Sequence, residues 1–232
     1  MSGAKDGIIA RIRASNGRAG PVAPDQAERN ETRIAEHKPN LIPSRAEGDA
    51  ATLAARFVAM AEEVAATVAR VPDPSEVPAA VAAFLAGHNL GAELVASPDP
   101  ALDAYPWSRQ PTLTIRRGGA RSDDAVALTG AFCGVAETGS LMVHSGAATP
   151  NTLHFMAPTH IAVLRAADIV GAYETAWDRL RRRMRERGES FPPRTVSLIT
   201  GPSRTSDIEK TSYVGMHGPH RLHIILVDEP KA

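Results

Sequence analysis

Apolar positions recur with two periods along the chain, and each period predicts a different kind of element. Leu53, Phe57, Met60, Val64 and Val68 share one face at helical spacing while Glu62 and Glu63 face away, which predicts an amphipathic helix. β-Branched residues collect over 66–71, where the helix is expected to yield to a strand that ends at Pro72 and Pro74. Ser75 is then the expected N-cap of a helix that places Val77, Val81, Phe84 and Leu85 on one side and stops at Gly87. A short strand over 93–96 completes a strand–helix–strand order, the signature of a βαβ unit and a parallel sheet. Further apolar strands fall at 125–129 and 161–164, and the run 132–143 reads as strand, turn, strand, broken at Glu137-Thr138-Gly139. A helix from Tyr173 to Arg187 turns Trp177, Leu180 and Met184 inward. Val196, Leu198 and Ile199 read as a buried strand, and residues 222–227 are as apolar as a central strand. The predicted class is α/β, a mostly parallel sheet flanked by helices.

The N-terminal part follows another pattern. Ile8, Ile9 and Ile12 mark a short amphipathic helix over 7–14, and from 15 to 48 apolar residues thin out. This predicts a helix and an extended arm over 1–48, either disordered or docking on a partner, and a compact domain over 49–232.

Composition narrows the function. Twenty-six Lys and Arg balance 26 Asp and Glu, and the pI is about 7.1, which argues against a general polyanion-binding surface. The arginines on the 173–187 helix are accordingly read as a solvated or partner-facing side, favourable to the helix dipole, and no nucleic acid is expected. No apolar run approaches the roughly 18 residues a membrane helix needs, and residues 1–15 lack the apolar stretch of a secretory signal, so a cytoplasmic protein is the expectation. Cys133 is the single cysteine, whereas an iron–sulfur centre needs several thiolates, so the chain is expected to carry no cluster. Its neighbours read as those of a small buried hydrophobe, with a nucleophilic thiol as the alternative. Tyr105 and Trp107, in a Pro-rich loop over 97–110, read as an aromatic staple on the core, with a pocket cover as the alternative. Asp123 and Asp124 read as a solvated strand entrance.

Candidate chemistry concentrates in two places. After the strand at 196–199, Gly201-Pro202 leads into Ser203, Arg204, Thr205, Ser206 and Asp207, with Ile208 expected to begin a helical turn. Unpaired backbone N–H groups beside an arginine suit a phosphate or carboxylate, and simple capping is the alternative. A second loop over 215–221 holds His217 and Gly218. In the 137–139 turn, an idle buried Glu137 would be costly, so it is either exposed or employed. His144, His154 and His160 have no standard metal-ligand spacing and predict no metal site. His144, Ser145, Asn151 and His154 are expected to line a polar pocket between strand ends, with His160 capping or packing.

The segment GPSRTSDIE, followed by GMHGP and an apolar final strand, together with AETG at 136–139, resembles the lactate utilization protein C family, built on the LUD domain. The resemblance runs well over 124–228 and only in outline before it. It implies the NagB/RpiA/CoA-transferase-like fold, with a ligand crevice outside the strand carboxyl ends that both motif turns would face. Members take part in oxidising L-lactate to pyruvate alongside two iron–sulfur proteins. Three readings follow. The first is a non-redox subunit of a lactate-oxidising system, binding a small carboxylate or docking its iron–sulfur partners. Arg204 would grip the carboxylate bidentately, aided by Ser203 to Asp207, Thr138, Gly139, His217 and Gly218. The second is acyl transfer with Glu137 as acceptor, because Glu137-Thr138-Gly139 is similar to the Glu-x-Gly element of CoA transferases. The third is a non-catalytic metabolite-binding module. A homo-oligomer is compatible with all three.

Overall fold

The computed structural model describes residues 2–17, 20–208 and 211–228, in two compact units, residues 1–41 and 42–232. The first unit holds α1 (Ser2–Ser15), longer than the sequence pattern indicates, and a second helix, α2 (Pro24–Glu36), where the sequence predicts an extended arm. No residue of α2 is buried, so its helicity is local. Pro24 presets the first turn, Asp25 favours the N-terminus, and Arg29 pairs with Asp25 one turn on at 2.9 Å.

In the second unit, α3 (Ala50–Glu63) starts at Asp49, whose carboxylate accepts from Thr52 N–H at 2.8 Å, and leads to β1 (Thr67–Val71). α4 (Val77–Gly87) buries Val77, Val81, Phe84 and Leu85 as the spacing predicts. Its entry differs: Asp73, not Ser75, supplies the cap, accepting from Ser75 N–H in a 3-10 turn over Pro74–Glu76. The chain continues through β2 (Glu93–Ala96), α5 (Pro100–Asp103), β3 (Thr114–Arg117), β4 (Val126–Gly130), β5 (Cys133–Val135), β6 (Ser140–His144), α6 (Thr152–Phe155) and β7 (Thr159–Arg165). It ends with β8 (Ile169–Val170), α7 (Tyr173–Glu186), β9 (Val196–Ile199), β10 (Arg204–Ile208), β11 (Thr211–Val214) and β12 (Arg221–Val227).

Six strands in the order β1-β12-β7-β4-β2-β3 form one sheet, and all five pairings are parallel. Alternate residues of its central strands face two cores. Ile161, Val163, Ile225 and Val227 pack with α4 on one side. Ala162, Leu164, Leu222, Ile224 and Leu226 pack with Phe57 and Ala61 of α3 on the other. Parallel neighbours require long crossovers. The β4–β7 and β7–β12 crossovers together build a second sheet, β8-β5-β6-β9, whose other face packs on Ala176, Leu180 and Met184 of α7.

Two sequence expectations change. β9 is an edge strand of the second sheet, with Leu198 41% exposed, because among the described residues it pairs only with β6. Ile208, where the sequence predicts the start of a helical turn, is instead the last residue of β10 and pairs with Thr211 of β11 in an antiparallel hairpin, in keeping with the β preference of Thr205, Thr211, Tyr213 and Val214; residues 209 and 210 lie outside the described residues. Among the described residues, no helix is long and apolar enough to cross a membrane.

Candidate functional site

The two motif turns meet. β6 and β9 pair antiparallel with Leu141 opposite Ile199, so the 137–139 turn lies beside Thr200 and Gly201. Gly139 has φ +65°, and a Cβ there would lie 2.3 Å from Ala61 N. Gly201 has φ +78°, and a Cβ there would lie 2.3 Å from the Val64 carbonyl oxygen. Both turns therefore press on the backbone at the end of α3, where only glycine fits. A hydroxyl cluster joins them: Ser140 Oγ lies 2.6 Å from Thr200 Oγ1 and 2.9 Å from the Tyr173 hydroxyl, and Thr138 Oγ1 lies 2.8 Å from both Ser140 Oγ and that hydroxyl. Glu137 is 5% exposed, and its Oε1 accepts from Tyr173 N–H at 3.2 Å, at the first residue of α7. A carboxylate at that position satisfies an otherwise orphaned helix N–H and faces the positive end of the dipole.

The second motif loop is tied to the first through Ser203. Its N–H donates to Pro219 O at 2.9 Å, its carbonyl accepts from Gly215 N–H at 2.9 Å, and its hydroxyl accepts from His217 N–H at 3.3 Å. Gly218 lies against the Ser203 side chain. Arg204 is exposed at the start of β10 and Thr205 is buried; Ser206 and Asp207 lie on the same strand, with their side chains outside the described set. The N–H groups of His220 and Arg221 both donate to Pro158 O, just before β7. Thus the motif turns and loops gather at the amino ends of β1, β7 and β12. The crevice expected at the carboxyl ends contains neither of them, because β5 and β6 carry the 137–139 turn back across the α3 face.

The carboxyl ends instead open on a cavity of about 960 Å³. Gly130 and Arg165, the last residues of β4 and β7, line it, as does Asp99 just beyond β2. This is the place where open α/β sheets bind ligands. His144 and Ser145, at the end of β6, contribute one wall, with Thr149 and His154 beyond them. Of the four residues expected to line a polar pocket, His144, Ser145 and His154 do so; Asn151, which precedes α6, does not. Tyr105 both packs on the core, edge-on to Trp107 at 6.2 Å between ring centroids, and borders the cavity.

α7 supplies the charge. Arg179, Arg183 and Arg187 recur every four residues and line the same cavity. Arg179 is paired with Asp168, Arg187 lies 3.8 Å from Glu189, and Arg182 lies 4.0 Å from Glu186. Arg183 has no ion pair among the described residues. The sequence pattern alone marks these arginines as a solvated or partner-facing side. Their four-residue repeat is visible in the sequence, but not which surface it meets.

Burial holds His154 and His160 neutral. Burial pushes His154 down to about 4, with neighbouring His144 adding to the effect, and neither ring nitrogen has a hydrogen-bond partner among the described residues. Burial pushes His160 down to about 3; its Nε2 bonds Thr129 Oγ1 at 2.8 Å, and its ring stands edge-on to His154 at 5.3 Å. Burial also pushes the Cys133 thiol up to about 12, and its side chain packs against α7 as a small hydrophobe.

The family model described as LUD domain matches residues 54–227. An uncharacterized protein of Neisseria meningitidis is 35% identical over 99 residues, covering 43% of this chain and 40% of its own. Proteins called lactate utilization protein C are similar too. That of Macrococcus caseolyticus is 29% identical over 56% of this chain and 54% of its own, and that of a Geobacillus species 33% identical over 41% and 39%. The chain thus spans about half, or less, of the length of these relatives. A crystal structure of a DUF162 family protein from Deinococcus radiodurans shares the fold, with a TM-score of 0.54 and 22% identity over 78% of this chain and 99% of that one.

Proposed function

We propose that this chain, which belongs to the LUD domain family, serves lactate utilization by binding a small carboxylic acid in the cavity at the carboxyl ends of β2, β4 and β7. In this reading it supports oxidation of L-lactate to pyruvate, while iron–sulfur partner proteins hold the redox centres. The names of its relatives motivate the pathway. The observation that carries the ligand class is Arg183, a lining guanidinium with no carboxylate partner among the described residues, flanked by Arg179 and Arg187, each paired with an acidic side chain. An anion entering the cavity meets the Arg183 guanidinium, a fork suited to a carboxylate. Acyl transfer is the weaker reading, since Glu137 lies outside the cavity lining and caps α7.

Titration calorimetry with L-lactate tests the proposal. Wild type is expected to bind, and Arg183→Ala to bind about tenfold more weakly, the loss expected for one charge-assisted contact. Failure of wild type to bind, or equal affinity in the variant, removes the assignment.

A further inference from the structure

We propose that residues 2–36 are a dimerisation device: α1 of one copy packs against α2 of a second copy, and its α2 against the α1 of that copy, around a twofold axis. The inference stands apart from the ligand reading above.

Neither helix is covered within the chain. Every residue of α1 from Gly3 onward is exposed, and in α2 only Ala27 is partly shielded. Ile8 is 60% exposed, Ile12 55% and Ile34 76%. Helices of 14 and 13 residues are marginal in water by themselves. Gly3 and Gly7 weaken α1 further, and its first turn holds no acidic residue. Each helix therefore needs a packed face to persist, and the exposed aliphatic side chains are the surface that supplies it.

The residues of each helix select the other. On α1, Ile8 and Ile12 share a face at i, i+4 with Ile9 beside them, and Lys5 and Arg11 border that face on opposite sides. On α2, Ala27, Glu31 and Ile34 follow one another along one face at i, i+4, i+7. α1 carries Lys5, Arg11 and Arg13 against Asp6 and is net basic. α2 carries Asp25, Glu28, Glu31 and Glu36 against Arg29 and Arg33 and is net acidic. Two copies of α1 bring like charges together, as do two of α2, whereas α1 on α2 sets opposite charges along the rim of an apolar seam. Ala27, being small, leaves room for the isoleucines. The same pairing inside one chain would bury Ile8 and Ile34, which are exposed. Each chain carries one helix of each kind, so a twofold arrangement satisfies both and closes at two copies.

Sedimentation velocity of the full chain over a dilution series tests the proposal. Wild type is expected to dimerise, and more weakly at high salt. Ile8→Glu combined with Ile12→Glu is expected to give a monomer. Its near-UV circular dichroism should not change, because every Trp and Tyr lies in the second unit. Lys5→Glu with Arg11→Glu makes α1 acidic, and Glu28→Lys with Glu31→Lys makes α2 basic. Each of these two chains alone is expected to be monomeric, and their equimolar mixture to form a heterodimer. Should the isoleucine variant lose its fold, the charge pair decides. A monomeric wild type overturns the proposal; helices that meet a different protein or a lipid surface would give that result. A dimer that survives the isoleucine substitutions also overturns it, since the contact would then lie elsewhere on the molecule. So does dimerisation of each charge variant alone as tight as that of wild type, or a mixture of the two that stays monomeric.

Discussion

Glu137 and Tyr173 are joined by a hydrogen bond from the Tyr173 N–H to Glu137 Oε1 at 3.2 Å, which fastens the turn after β5 to the first residue of α7. The same tyrosine returns through its hydroxyl, which lies 2.8 Å from Thr138 Oγ1 and 2.9 Å from Ser140 Oγ. One residue thus holds the motif turn from both its backbone and its side chain. The conspicuous acid of the sequence has a structural partner, while the cavity lies at the other end of the sheet.

This relationship makes the first prediction. Glu137→Ala leaves a helix N–H unsatisfied in a buried place and should cost about 1–2 kcal/mol in urea unfolding, whereas Glu137→Gln keeps an acceptor and should cost less than about 1 kcal/mol. Equal losses would disprove the capping account. Loss of an acyl-exchange activity in Glu137→Gln, with an acyl adduct on wild-type Glu137 seen by mass spectrometry, would instead favour the transferase reading.

Gly139 and Gly188 share φ +65°, but a Cβ at Gly139 would lie 2.3 Å from Ala61 N, while at Gly188 none of the described residues lies within 4 Å. Gly188→Ala should therefore cost about 1 kcal/mol for the backbone conformation alone. Gly139→Ala should cost several-fold more, because α3 must also shift. Chemical denaturation of the two variants checks the difference, and similar midpoints would refute it.

The two arginines proposed for carboxylate binding separate cleanly. Arg204 is exposed on the hairpin outside the cavity lining, and Arg183 lies within that lining. Arg183→Ala should weaken L-lactate binding about tenfold, and Arg204→Ala should leave it unchanged. The reverse pattern in calorimetry would return the site to the motif loop.

Acid should destabilise the fold. Burial lowers His154 and His223 to about 4 and His160 to about 3. The unfolded forms titrate near 6.5, so below that pH the unfolded chain binds the extra protons. The stabilisation is complete above about pH 6.5 and is lost as pH falls through 6.5 towards 4 and 3. Each tenfold loss of proton affinity on folding corresponds to about 1.4 kcal/mol, so the three imidazoles together contribute on the order of several kcal/mol. Urea midpoints should fall markedly from pH 7.5 to pH 5, and less in His160→Gln. A flat profile over that range would contradict the account.

If partners hold the redox centres, the tagged chain recovered from its own lysate should bring down iron–sulfur proteins, iron and lactate-oxidising activity. An iron-free preparation of the chain alone would count against the subunit reading.

Much of the fold is legible in the sequence because its signals are local. The period-two runs of β7 and β12 and the helical spacing of Val77, Val81, Phe84 and Leu85 each state which side meets a core. The motif glycines mark two close approaches, since Gly139 and Gly201 have room for no Cβ. The misread elements are those whose partners are remote. Leu198 is apolar enough for a core, yet among the described residues β9 pairs on one side only. Residues 204–208 carry capping residues, but β11 draws them into a hairpin.

Local order along the chain is enough for the α/β layering and the family motifs, because hydrophobic periodicity and residue chemistry are properties of neighbours in the chain. Which end of the sheet holds the cavity is settled only by the folded arrangement. That arrangement turns Glu137 onto α7, sets Arg183 opposite the strand ends and leaves His154 buried without a partner among the described residues. Those outcomes depend on crossovers that bring residues dozens of positions apart together, and burial and pairing arise only once the crossovers have closed.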